Sequence, residues 1–171
     1  MSYNLAGMMT SSTLPNGKSI STDYDRMGRI TAVTSDWVDA DHPAVLANNF
    51  AYHATGALTG IDYGNGTTST RSYTSGGLLK TLQHGDGVDP GALLDLEYHY
   101  DEGLANNGRI MEITDHDDAS RTQSHAYDGF YRLATAETQG PHWGLSFSYD
   151  RYGNRLSQSA TKGSPPTHSA T

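Results

Sequence analysis

Strand-type residues come along the chain in short runs, and turn-formers interrupt every one of them. The stretch from Tyr52 to Ser72 shows the arrangement. It reads as a turn, a strand over Ala57–Tyr63, a Gly64-Asn65-Gly66 turn, and a strand over Thr67–Ser72 that leads to Tyr73. Asn-Gly between two such runs is the strongest short-range hairpin signal, and Pro15-Asn16-Gly17 supplies another. The pattern predicts a continuous antiparallel meander of about 14 short strands. Three longer connections, Asp36–Asn49, Gln83–Gly91 and Asp115–Ser120, take the place of the Asn-Gly turn. One of them contains the single helical expectation: Asp41 would cap a short helix over Asp41–Asn49, with Pro43 in its first turn.

A repeat underlies the pattern. Seven segments share Tyr-(Asp)-x-x-Gly-(Arg)-apolar, beginning at Tyr3, Tyr24, Tyr52, Tyr73, Tyr100, Tyr127 and Tyr149, at intervals of 21, 28, 21, 27, 27 and 22 residues. In the Tyr100 repeat an insert, Glu102–Asn107, separates Asp101 from Gly108. An Asp at the first corner bonds the backbone two residues on, and a Gly at the last corner takes the positive φ that a Cβ penalises. Each unit is therefore a β-hairpin with Tyr just before its turn. The expectation is an all-β fold, with residues 1–160 as one repeat domain and 161–171 as a disordered polar tail.

Composition narrows the class further. Leu, Ile, Val and Phe total 26 of 171 residues, while 11 Tyr and 2 Trp supply the apolar bulk. Ser plus Thr number 36, and 15 Asp stand against 4 Glu, which disfavours helical bundles. No segment approaches the ~18 apolar residues of a membrane-spanning helix, and Met1–Gly17 lacks the pattern of a signal peptide. With a net charge of −8 and 11 Lys plus Arg, nothing concentrates enough positive charge for a nucleic-acid footprint. There is no Cys, hence no disulfide framework and no thiolate metal site.

Tyr-Asp-x-x-Gly-Arg-Leu/Ile interleaved with Asn-Gly-Thr-Thr resembles the YD repeat of Rhs proteins, Tc toxin shells and teneurins. Tyr63–Lys80, Asn106–Ile113 and Tyr149–Leu156 are especially similar to bacterial Rhs sequences. The resemblance implies hairpins wound into an open, curved or spiral sheet. It further implies a shell wall or a scaffold for carbohydrate and surface contacts, at a bacterial cell surface or in a secreted particle. Complete shells of that family use many more than seven repeats. Asp89-Pro90-Gly91 echoes the family's C-terminal core plug without its flanking residues, and a polar tail stands where a toxin domain would follow. Unpaired sheet edges would also favour self-association.

Candidate chemistry gathers in the inserts. Asp36, Asp39, Asp41 and His42 form one group, His84, Asp86 and Asp89 a second, and Asp115, His116, Asp117 and Asp118 a third. Asp86, Asp89, Asp115, Asp117 and Asp118 offer hard oxygen ligands that would suit Ca²⁺, although Ala126 stands where a calcium loop counted from Asp115 needs its bidentate Glu. Asp in turns is equally explained by turn chemistry. A carboxylate-held Ca²⁺ with a nearby His would make a small hydrolase of esters or lactones. Gly144-Leu-Ser146-Phe-Ser148 and Ser159-Ala-Thr-Lys162 lack the structural context of nucleophile motifs. Trp37 and Trp143, in inserts, are the residues expected to contact a carbohydrate or other small ligand. The repeat tyrosines are expected to serve packing, each hydroxyl reaching a partner.

Overall fold

The computed structural model describes residues 1–101 and 107–169; most of the Glu102–Asn107 insert lies outside them. The strands are β1 (Ser2–Tyr3), β2 (Met9–Thr13), β3 (Ser19–Tyr24), β4 (Ile30–Ser35), β5 (Val45–Tyr52), β6 (Leu58–Tyr63), β7 (Thr67–Tyr73) and β8 (Leu79–Asp86). They continue with β9 (Leu94–Tyr100), β10 (Ile110–Asp115), β11 (Gln123–Tyr127), β12 (Leu133–Thr138), β13 (Trp143–Tyr149), β14 (Arg155–Gly163) and β15 (His168–Ser169). They form one open antiparallel sheet whose strand order is the chain order, the all-β meander that the repeat predicts.

The YD turns have one construction. In Asp25–Gly28 the Gly28 N–H donates to the Asp25 carbonyl at 3.0 Å, and Gly28 has φ +79°. The register between Tyr24 and Ile30 shifts by one residue, so the turn is a type I turn closed by a glycine bulge. The Asp25 carboxylate accepts the N–H groups of Met27 and Arg29 at 2.8 and 2.9 Å. Asn4 does the same for Ala6 and Met8 at 3.0 Å each, so the first repeat keeps the turn without the charge. The opposite ends use the same solution: Gly17 and Gly66 bond back to Leu14 and Tyr63 at 2.9 Å each. The Tyr127 repeat keeps the turn with another residue at its last corner: Tyr131, at φ +66°, donates its N–H to the Asp128 carbonyl at 2.9 Å.

The chain divides into two compact units. The first comprises Met1–Ser72 and Gln83–Leu93, the second Tyr73–Leu82 and Leu94–Thr171. In the first, Ala47 on β5 is buried between Val33 on β4 and Tyr63 on β6. That register corrects the helix expected over Asp41–Asn49. Val45–Tyr52 is a strand because β4 and β6 both need a backbone partner, and Asn49, at φ +50°, takes up the accompanying irregularity.

In the second unit Ala136 is buried and pairs with His125 and Leu145. The buried hydroxyls of Thr122 and Thr138 are satisfied, the first by the Asp115 N–H at 3.1 Å and the second by the carbonyls of Gly140 and Trp143 at 3.1 Å. Strand β14 runs through residues 161–163 of the expected tail, and β15 pairs with it at Ser157–Ser169. No side chain among the described residues is fully buried. With so few aliphatic residues the sheet is held by its ladders and by half-buried aromatics.

Candidate functional site

Five repeat tyrosines make one shared contact. The hydroxyls of Tyr24, Tyr52, Tyr100, Tyr127 and Tyr149 donate to the carbonyls of Met9, Ile30, Leu79, Ile110 and Leu133 at 2.8, 2.8, 2.7, 2.9 and 2.8 Å. Each acceptor opens the strand that leaves the turn of the preceding repeat. The motif arginine completes the joint. Arg29 lies 4.7 Å over the Tyr52 ring, Arg109 5.4 Å over Tyr127, and Arg132 4.6 Å over Tyr149. Each guanidinium is held by its own turn: Arg29 Nε meets Asp25 at 2.7 Å, Arg132 Nε meets Asp128 at 2.7 Å, and Arg109 pairs with Asp101. The backbone N–H of Arg29 and then its side chain hold the Asp25 carboxyl below the usual carboxylate range, and Arg132 does so for Asp128. The four motif residues thus form a joint between consecutive repeats, and the tyrosines are structural.

Away from the YD turns, the first unit opens a concavity of about 650 Å³. Trp37 lies on it, as do His42, Tyr63 and His84. The Trp37 indole stacks on His42 with centroids 4.2 Å apart and planes 20° apart, while Tyr63 meets His84 edge-on at 5.6 Å. Asp39 ties the first pair together, accepting from Trp37 Nε1 at 3.1 Å and contacting His42 Nδ1 at 2.6 Å. The same carboxylate accepts the N–H groups of Asp41 and His42 at 2.9 and 3.0 Å. The His42 side chain is the largest of the causes that lower its pKa. Sequence reasoning singled out Trp37 but not this assembly, because β6 and β8 contribute Tyr63 and His84 through strand register and not through nearness in the chain.

Trp143 sits on a second, smaller concavity of about 420 Å³ in the second unit, with Leu96, Ile113, Arg121 and His142. His142 Nε2 lies 2.9 Å from the Ser120 hydroxyl, and that hydroxyl donates to Asp118 at 2.6 Å. The order is carboxylate–hydroxyl–imidazole. In a nucleophilic triad the imidazole lies between the other two, so this chain of bonds fixes a loop and does not activate Ser120.

Four of the five carboxylates proposed for Ca²⁺, all but that of Asp117, are engaged locally. Asp86 Oδ1 accepts the N–H groups of Val88 and Asp89 at 2.8 Å each, bonds that hold its pKa down. Asp89 Oδ1 accepts from Gly91 at 3.1 Å. Asp115 Oδ1 accepts from Asp117 and Asp118 at 3.0 and 2.9 Å, and Arg121 Nε pairs with its other oxygen at 3.0 Å. Asp118 caps the short 3₁₀ turn Ala119–Arg121, and the Ser120 hydroxyl is the main cause of its lowered pKa. Among the described residues no three His, Asp or Glu side chains converge in a way that would hold a metal ion.

Residues 3–36 match the model of the RHS repeat family. That stretch holds the repeat that begins at Tyr3 and the turn that follows Tyr24. The fold is similar to that of several solved chains. One, from the Photorhabdus luminescens Tc holotoxin pore, aligns with a TM-score of 0.76 at 19% identity, over 94% of this chain and 9% of that one. The TcdB2–TccC3–Cdc42 crystal structure gives 0.76 at 19% identity over 96% and 9%, and TcdB2–TccC3 gives 0.75 at 19% over 92% and 9%. The chain spans less than a tenth of the solved chains it matches. No curated protein matches it. Among the described residues no helix is long and apolar enough to cross a membrane.

Proposed function

We propose that the chain is a non-catalytic β-scaffold, a stretch of the wall of an Rhs-type shell that assembles with other chains in a secreted or surface-exposed particle. The tyrosine joint carries this reading. It recurs from repeat to repeat, faces the neighbouring repeat and not a substrate, and consumes the most regular polar residues of the sequence. The self-engaged Asp clusters favour the scaffold over the Ca²⁺-dependent hydrolase. The test is thermal unfolding in EDTA and then in millimolar Ca²⁺, together with an ester and lactone panel. A scaffold gives the same midpoint in both buffers and no turnover. A Ca²⁺-dependent rise in midpoint with turnover on the panel overturns it.

A second reading places carbohydrate contacts at Trp37 and Trp143. Its support is that both indoles lie on concave surfaces beside polar side chains, which is the arrangement that stacks on a sugar ring while bonding its hydroxyls. Quenching of indole fluorescence by a panel of neutral oligosaccharides tests it, and a flat response across the panel rejects it.

A further inference from the structure

We infer that the concavity of the first unit binds a small organic cation with an apolar face, an ammonium group carried beside an aryl or sugar ring. At about 650 Å³ it has the size of a small-molecule site. Its wall sets two aromatic pairs, Trp37–His42 at 4.2 Å and Tyr63–His84 at 5.6 Å, beside the aliphatic side chains of Leu14, Ile20 and Leu46. Aromatic faces attract a cation through the ring quadrupole and offer nothing equivalent to an anion.

Charge points the same way. Asp39 is saturated by Trp37 Nε1, His42 Nδ1 and the N–H groups of Asp41 and His42. That carboxylate orders the wall and has little left for a ligand. Asp41, which also lines the concavity, is different: among the described residues its carboxylate has neither a hydrogen bond nor an ion pair. No Lys or Arg lines the site. A carboxylate beside π-faces, with no Lys or Arg in the wall, is complementary to an ammonium group. A neutral guest gains only the apolar contact, and an anion is repelled.

The titratable groups around the site are Asp39, Asp41, His42, His84 and Tyr63. The test is run at pH 8. The chain with Trp143→Phe keeps Trp37 as its one indole, and its fluorescence reports titration with 4-phenylbutylamine, 4-phenylbutanol and 4-phenylbutyrate, which share one body and differ in charge. The expected result is that the ammonium binds about tenfold more tightly than the alcohol, an exposed ion pair plus a cation–π contact, with the carboxylate weakest. Asp41→Asn should cut the tenfold preference to about threefold, the share of the cation–π contact, and leave the alcohol's affinity unchanged.

The inference is overturned if the three probes bind alike, if none binds, or if Asp41→Asn keeps the full tenfold preference. Calorimetry on the unaltered chain makes the same comparison should Trp143→Phe not fold. Chitobiose with free amines, set against its N-acetylated form, then identifies the source of the cation. A preference for the free amine assigns an amino sugar, and binding of phenylbutylamine alone assigns an aryl-alkyl amine. Failure of neutral sugars to bind bears only on the carbohydrate reading.

Discussion

The hydroxyl of Tyr52 donates to the carbonyl of Ile30 at 2.8 Å, and so joins the repeat that begins at Tyr52 to the one that begins at Tyr24. Arg29 closes the joint from above, 4.7 Å over the ring. Tyr52→Phe keeps the ring and the cation–π contact and removes only the hydrogen bond. The expected loss is about 1 kcal/mol, a fall in midpoint of about 2–4 °C for a chain of this size. Differential scanning calorimetry reads it. A Tyr52→Phe chain as stable as the parent would show that the bond adds nothing beyond packing.

Acid should loosen the turns. In Asp25 and Asp128 the hydrogen bonds from Arg29 and Arg132, backbone first, lower the folded-state pKa. A depressed carboxylate pKa contributes stability that is fully present above the unfolded-state value, near pH 4, and is lost as the pH falls through the lower folded value. Unfolding midpoints should therefore be flat in this contribution from neutral pH down to about pH 4, then decline. Asp25→Asn should flatten that decline while keeping the turn, since Asn4 already accepts both turn N–H groups at 3.0 Å each. An unchanged acid slope in the Asp25→Asn chain would remove Asp25 from the account.

Left-handed backbone is tolerated differently in two turns. Gly153, at φ +91°, has open space where a Cβ would stand, so Gly153→Ala isolates backbone strain. It should cost about 1–2 kcal/mol. Tyr131 accepts the same strain at φ +66° and is offset by Arg109, 4.3 Å over its ring. Tyr131→Gly removes both terms, so its net effect should stay within about 1 kcal/mol of zero. Denaturant melts of the two variants give the comparison, and a larger loss for Tyr131→Gly than for Gly153→Ala would contradict it.

Asp115 organises its insert through the N–H groups of Asp117 and Asp118 and the Arg121 guanidinium. Asp115→Ala should destabilise the chain by about 1–2 kcal/mol, as loss of a capping carboxylate does. The loss should be identical in EDTA and in millimolar Ca²⁺. A loss that appeared only in Ca²⁺ would make Asp115 a metal ligand instead of a cap.

Sequence revealed what is local. The Tyr-Asp-x-x-Gly turns follow from residues within five positions of one another, and so do the strands beside them. Asp86 and Asp115 were equally legible as turn-formers, because their acceptors are the next few N–H groups. Long-range terms were not legible. Nothing near Arg29 indicates that its guanidinium meets the Tyr of the next repeat, although the recurrence of Arg after the turn glycine was the available signal. The helix expected after Asp41 lost to sheet pairing, since Ala47 is placed by its partners Val33 and Tyr63 and not by its neighbours. Likewise Trp37 was marked by its insert, whereas Tyr63 and His84, which complete the wall around it, arrive from separate strands.

The joint between repeats also governs how such a gene can change length. Each of the five joint tyrosines finds its acceptor carbonyl, and in the Tyr52, Tyr127 and Tyr149 joints its guanidinium, in the repeat before it. A recombination event that removes or duplicates one whole period therefore rejoins a Tyr to a turn of the same kind, wherever in the period the crossover falls. A change of fractional length keeps the joint where it falls in a connecting loop, as the 28-residue interval before Tyr52 shows beside the 21 before Tyr24. Inside a strand it would leave a phenol facing a turn that cannot receive it, so length is free to vary in loops such as the one that carries Trp37 and not in the strands between them.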